Sequence, residues 1–213
     1  TITMFFDPSI DDPTGIVAGP DGNLWFTNQH SWTIGRITPA GAVTTFTDAS
    51  INRPARIAAG PDGNLWFTNH GSSSIGRITT AGVVTSFSGA AIKSPVGITL
   101  GPDGNLWFTD LGTWPTFADP SIGRITPAGV STAFSAGSVT APEDIVTGPD
   151  GKLWFTDGTD LGRITTSGAI TASCQPTMSP VASSSSGTVA GWPLVTVTVR
   201  AGRAAGDGGS RWQ

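Results

Sequence analysis

Two histidines, His30 and His70, and one glutamate, Glu143, are the side chains of this chain best placed by type to move a proton. Each histidine follows a Trp-Phe-Thr-Asn run at a slightly different offset. Neighbouring repeats could therefore turn the two toward each other, as metal ligands or as a general base. The plainer alternative is an exposed loop histidine in each case. Glu143 adjoins Asp144, and with Asp157 it could form a carboxylate cluster for a hard cation. Asp144 serves equally well as a cap on a strand edge. Trp32 and Trp114 could stack on a ligand or pack over the mouth of the fold. Cys174 is the single cysteine of 213 residues, so neither an internal disulfide nor a thiolate metal cluster is available.

Repeated elements must carry these groups. The run Gly19-Pro20-Asp21-Gly22-Asn23-Leu24-Trp25-Phe26-Thr27 returns at 60–68, at 101–109 and, with Lys152 for Asn, at 148–156. Each copy is followed by Ile-Gly-Arg-Ile-Thr or Leu-Gly-Arg-Ile-Thr. Pro20 presets the first corner of a type I turn, Asp21 suits the second, and Gly22 can adopt positive φ, which closes a hairpin. The flanking apolar runs 16–18 and 24–26 are too short for helices and are bounded by turn residues, so they are expected to be buried strands. Residues 34–38 and 43–46 supply a third and a fourth. Four short antiparallel strands per repeat of this length predict the blade of a β-propeller.

Repetition also weighs the remaining candidates. Arg36, Arg77, Arg124 and Arg163 recur once per repeat, as do Asp21, Asp62, Asp103 and Asp150. An active site needs a residue once, so these are expected to be structural. The repeated Gly-Pro-Asp-Gly lacks the spacing and following Ser or Thr of a phosphate-binding loop.

Four complete blades are expected from about residues 13, 54, 95 and 142. Residues 1–12 match the fourth strand of a preceding blade and the connection after it, so the propeller is expected to occupy 1–173. Residues 111–120 insert into the third repeat, and an insertion in one repeat marks a loop that can carry binding. Residues 174–191 open a degenerate fifth blade, because Ser186 to Gly191 match Thr14 to Gly19. Thereafter the register is lost, and 192–213 are expected to form an out-of-register strand and a Gly-rich disordered tail. A shifted reading frame or truncation after Gly191 would explain this, and translation of the coding DNA in the other frames tests it.

The net charge of −4 is mild and no basic stripe is present, so nucleic acid is not an expected partner. No apolar run has the length of a membrane span, and no secretory signal is visible. Low Lys content with abundant Thr, Ser and Gly would suit a secreted protein, and a cytoplasmic location is the alternative. Uncovered blade edges would invite self-association.

Pro-x-Gly-Ile, Gly-Pro-Asp-Gly-Asn-Leu-Trp-Phe-Thr, Ile-Gly-Arg-Ile-Thr and Val-Thr-x-Phe together resemble the repeat of the virginiamycin B lyases, the streptogramin B lyase family. The resemblance covers most of residues 1–173. It implies an all-β propeller of about seven blades, roughly 290 residues at this period, so the four blades here form an incomplete or open ring. It implies eliminative opening of the ester linkage of a cyclic depsipeptide antibiotic, helped by Mg2+. The family's catalytic histidines stand in Pro-His-Gly-Ile; the matching positions are Thr14, Ala55, Val96 and Glu143, and none is histidine. The family's metal-binding glutamate follows the Trp-Phe-Thr strand, where this chain has Asn28, Asn69, Asp110 and Asp157. A second glutamate matches Asp12, Arg53, Ser94 and Ala141.

Strand geometry places the matching positions, together with His30, His70, Trp32 and Trp114, at the pole opposite the Pro-Asp-Gly turns. Asn28 and Asn69 on that face are candidates for contacting a ligand, and Asp110 joins Glu143, Asp144 and Asp157 as a candidate metal ligand. The alternative function is a non-catalytic propeller that binds a peptide, glycan or protein on this loop face.

Overall fold

The computed structural model describes residues 2–172. Four antiparallel four-stranded sheets follow one another in the chain. Blade one contains β1 (Pro13–Ala18), β2 (Leu24–Asn28), β3 (Thr33–Ile37) and β4 (Val43–Phe46). Blade two contains β5 (Pro54–Ala59), β6 (Leu65–Asn69), β7 (Ser74–Ile78) and β8 (Val84–Ser88). Blade three contains β9 (Pro95–Leu100), β10 (Leu106–Asp110), β11 (Ser121–Ile125) and β12 (Ser131–Phe134). Blade four contains β13 (Pro142–Thr147), β14 (Leu153–Asp157), β15 (Asp160–Ile164) and β16 (Ile170–Ala172). The first strands β1, β5, β9 and β13 pack side by side along the axis, and the fourth strands lie outermost. The result is an all-β propeller arc, and its ring is not closed among the described residues. Those residues also contain no helix long and apolar enough to cross a membrane.

The hairpin at Pro20-Asp21-Gly22 forms for the reason its residues give. Gly22 takes φ 76°, and the Gly19 amide donates to the Asn23 carbonyl at 2.7 Å. The aspartate does more than turn the chain. Asp62 accepts from the Trp66 indole at 3.0 Å and from the Asn64 side chain at 2.8 Å. Arg77 lies 5.5 Å above the Trp66 ring and 3.7 Å from Asp62. The same arginine donates to the Pro127 carbonyl of blade three. Each repeated Asp and Arg thus belongs to a clamp that locks the hairpin to the tryptophan; in blades one to three the arginine also reaches a carbonyl of the following blade.

Burial pushes the Asp62 carboxyl upward, but donors from Asn64, Trp66 and the backbone outweigh it and hold the group below its ordinary range. Asp21 and Asp103 are held low by the same balance. At Asp150 the Trp154 indole is the leading cause of the lowering. A carboxyl held low in the folded state stabilises the fold above its unfolded pKa, and this contribution is lost as pH falls through the folded value. The melting temperature is therefore expected to hold above about pH 5 and to drop below about pH 4. Thermal melts across that range check it, and Asp62→Asn should flatten the acid limb.

Residues 2–6, which match the fourth strand of a preceding blade, form no strand ladder among the described residues. Phe5 nevertheless lies against Gly41, as Phe46 lies against Gly82 and Phe87 against Gly129. The expected fifth-blade start at 174–191 and the tail 192–213 lie outside the described residues.

Candidate functional site

Every first strand carries a bulge just after its proline. The pairing shifts between Pro13 and Gly15, Pro54 and Ile57, Phe108 and Asp110 (opposite Pro95), and Pro142 and Ile145. A bulge re-aims side chains and costs ladder hydrogen bonds. The threonine of Trp-Phe-Thr repairs the loss: the amides of Gly15, Arg56, Gly97 and Asp144 donate to the hydroxyls of Thr27, Thr68, Thr109 and Thr156. The bulged residues sit at the positions that match the family's histidine motif.

Three of these bulges open onto one cleft of about 500 Å3 at the pole opposite the Pro-Asp-Gly turns. Ala55 and Arg56 enter from blade two, Val96 from blade three, and Glu143 and Asp144 from blade four. Arg53 and His70 complete the blade-two side. The cleft is thus split in charge, with two guanidinium groups on one flank and two carboxylates on the other. The Arg56 guanidinium donates to the Thr14 carbonyl at 2.9 Å, which fixes its direction. Arg53 holds φ 47°, the left-handed region, on the connection into β5.

His70 opens a single 3-10 turn, His70–Ser72, and its buried Nδ1 has no hydrogen-bond partner among the described residues. A second cleft of about 250 Å3 adjoins the first through Arg53 and His70, and Trp114 forms its far wall. Trp114 is 70% exposed and meets Phe117 edge-on at 5.2 Å within the 111–120 insertion. Lys93 pairs with Asp119 at 3.7 Å and ties that insertion to its own blade.

The other candidates lie elsewhere. His30 and Trp32 are exposed on the β2–β3 loop and line neither cleft. Asn28 and Asn69 are fully buried. Asn69 donates to the Ser50 carbonyl and the Ser74 hydroxyl and accepts from the Asn52 amide, and Asn28 repeats this pattern in blade one. Asp110 accepts the amides of Lys93, Ser94 and Gly112. Asp157 accepts the amides of Thr140 and Ala141. Position for position, these four residues staple the blade-to-blade connection to the end of the second strand.

Among the described residues no group of three or more His, Cys, Asp or Glu is arranged to hold a metal. Asp110 and Asp157 do not line the cleft that Glu143 and Asp144 line, and their oxygens are committed to backbone amides. The described residues therefore do not fit a magnesium site.

Arg53 is expected from the sequence only as a position matching the family's second glutamate, and Arg56 is not among the sequence candidates. The signal was present: Arg56 stands where blades one and three have Gly15 and Gly97, and Arg53 stands where blade one has Asp12. A residue that departs from its repeat is where a repeat protein becomes specific.

A family model described as the virginiamycin B lyase family matches residues 4–209. The chain belongs to this family. It is 36% identical, with a TM-score of 0.70, to the crystal structure of a catalytically inactive virginiamycin B lyase from Staphylococcus aureus with quinupristin. That match covers 78% of this chain and 56% of the other. A streptogramin B lyase structure is 34% identical with a TM-score of 0.71, over 80% of this chain and 57% of that one. A virginiamycin B lyase of Saccharopolyspora erythraea is 59% identical over 32 residues, which are 15% of this chain and 11% of that protein. A chain of a nidogen/laminin complex, 19% identical with a TM-score of 0.66, shares the fold alone. The chain spans little more than half the length of the solved lyases it matches.

Proposed function

We propose that the charge-split cleft at the axial pole binds a cyclic depsipeptide of the streptogramin B type, and that these blades form part of a lyase-like propeller. The observation that carries this reading is the convergence of three bulges on one cleft in a chain 36% identical to a lyase crystallised with quinupristin. The opening reaction is attributed to the whole propeller. In it a base takes the proton from the carbon next to a carbonyl, the electron pair forms a carbon–carbon double bond, and the neighbouring carbon–oxygen bond breaks. The ester oxygen leaves as carboxylate, no water enters, and the mass is unchanged.

Within this reading Glu143 has the position and chemistry of a proton acceptor, and His70 is the alternative. Arg53 and Arg56 donate to oxygen atoms that carry or develop negative charge. Trp114 offers a flat apolar wall to a ring of the ligand. The family resemblance implies Mg2+, but the described residues do not fit it.

Calorimetric titration with quinupristin, followed by chromatography and mass spectrometry, tests the proposal. Saturable binding is expected, and Arg53→Ala or Glu143→Gln should weaken it about tenfold, or about 1.4 kcal/mol. An opened product of unchanged mass supports elimination; a product heavier by one water contradicts it. Absence of binding by the wild-type chain removes the reading. The absence of a strong base at Thr14, Ala55 and Val96 favours a second reading, a non-catalytic binder. Chelator-insensitive binding without any opened product would select it.

A further inference from the structure

The smaller cleft between blades two and three gathers polar side chains that have nothing to bond. It holds about 250 Å3 and is lined by Arg53, His70, Gly71, Ser73, Ser94 and Trp114. Ser94 is only 4% exposed, and its hydroxyl, unlike its amide, has no hydrogen-bond partner among the described residues. The side chains of Arg53, His70 and Ser73 have none among those residues either, and the His70 Nδ1 is itself buried. Buried hydroxyls elsewhere in the blades are used: those of Thr27, Thr68 and Thr109 each donate to a carbonyl across a seam. A buried polar group without a partner in its own chain marks a place where something else supplies one.

These residues depart from the repeat. Blade one has Asp12 at the place of Arg53 and Gln29 at the place of His70, and blade four has Ala141 at the place of Ser94. Trp114 has no counterpart, since it belongs to the 111–120 insertion. That insertion is held at both ends and across its middle. The Leu111 amide donates to the Ser94 carbonyl at 3.1 Å, the Thr113 amide donates to the Ala118 carbonyl at 2.8 Å, and Lys93 pairs with Asp119. Phe117 meets the Trp114 ring edge-on. Trp114 is therefore a wall set in place before a ligand arrives, and its largely exposed ring is free to be covered. No carboxylate lines this cleft. The acidic groups around it are committed, Asp110 to backbone amides and Asp119 to Lys93. The cleft is thus cationic on one side and aromatic on the other.

We infer that this cleft is a binding site for an aryl carboxylate, a carboxylate close to an aromatic ring, either free in solution or at the end of a peptide. The Arg53 guanidinium is a fork that a carboxylate fits with two parallel hydrogen bonds. Ser73 and Ser94 donate their hydroxyl hydrogens to the same oxygens, and His70 donates from a ring nitrogen. The ring of the ligand lies on Trp114 in the offset or edge-on geometry that aromatic pairs adopt. One guanidinium balances the single charge of a carboxylate. The site shares Arg53 and His70 with the charge-split cleft. It goes beyond the depsipeptide reading, because it needs neither an ester nor an opening reaction, and it stands or falls on its own partners.

Ligand-observed NMR titration of the full chain with phenylacetate, N-acetylphenylalanine, N-acetylphenylalanine amide and acetate is the test. Saturable binding of an aromatic acid is expected, with the amide and acetate weaker by about tenfold or more. Phenylacetate alone would assign the site to a free acid, N-acetylphenylalanine alone to a peptide end, and both to either source. Arg53→Asn should weaken the acids about tenfold and Ser94→Ala about threefold. Asn accepts the left-handed backbone that Arg53 holds, so the first variant keeps the fold. Trp114→Ala should bring the aromatic acids down to acetate. Trp32→Ala, an exposed tryptophan outside both clefts, should change nothing. Equal affinity for acid and amide, inorganic phosphate bound as tightly as the aromatic acids, or indifference to both Arg53→Asn and Trp114→Ala would overturn the inference. Aryl acid bound by a chain that does not bind quinupristin would keep this inference and remove the reading above; quinupristin bound without any aryl acid would do the reverse.

Discussion

Trp66→Ala is expected to destabilise the propeller by about 3–5 kcal/mol, the range for removing a large aromatic from a packed core. Trp66 is fully buried and sits at the seam between blades two and three with Ile75, Ile92, Ile98 and Leu106. It also stacks on Phe87 at 5.2 Å, carries Arg77 over its face and donates its indole hydrogen to Asp62. Its loss empties a cavity, releases the arginine and leaves the aspartate short of one donor. The repeat supplies an internal control. Trp154 is half-buried and lacks a stacked phenylalanine from its own repeat, so Trp154→Ala is expected to cost about half as much or less, following the smaller area removed from water. Urea unfolding of both variants, compared at equal slope, reads the difference. Equal losses at the two positions would show that the seam contributes little beyond the blade itself.

Asp110→Leu should be nearly as damaging, by about 3 kcal/mol, and it should also deform the cleft. The Asp110 carboxylate is fully buried and takes three backbone amides, those of Lys93, Ser94 and Gly112. Leucine fills the space and leaves two buried donors and one part-buried donor unsatisfied, each buried one costing about 1–3 kcal/mol before relaxation. Asp110→Asn should keep at least one acceptor bond and lose less, since Asn28 and Asn69 perform the same stapling in blades one and two. Two of the released amides belong to the connection into β9 and one to the insertion bearing Trp114. Ligand affinity measured on Asp110→Asn should therefore fall more than its stability does. A variant with wild-type affinity would show that the insertion is not held in place through this residue.

The blade was legible because its determinants are local. Pro-Asp-Gly closes a hairpin by its own φ preferences, the short apolar runs permit strands and not helices, and a period repeated four times leaves little choice of architecture. The repeated Arg and Asp were also legible as structural, since a group present in every blade cannot mark one site. Less was visible at the site. Asn28, Asn69, Asp110 and Asp157 have residue types that suit ligand or metal binding, yet burial and backbone partners commit them to holding the connections. Nothing in their own sequence distinguishes a carboxylate facing a cleft from one facing three amides.

The chain by itself thus determined the strands, the turns, the blade and its family, because these follow from neighbours in sequence. Only the tertiary structure decided that His70, Arg53 and Arg56 of blade two share a cleft with Glu143 and Asp144 of blade four while His30 does not. That meeting depends on the rotation between successive sheets and on the bulge after each proline, which are set by how large side chains interlock across the seams.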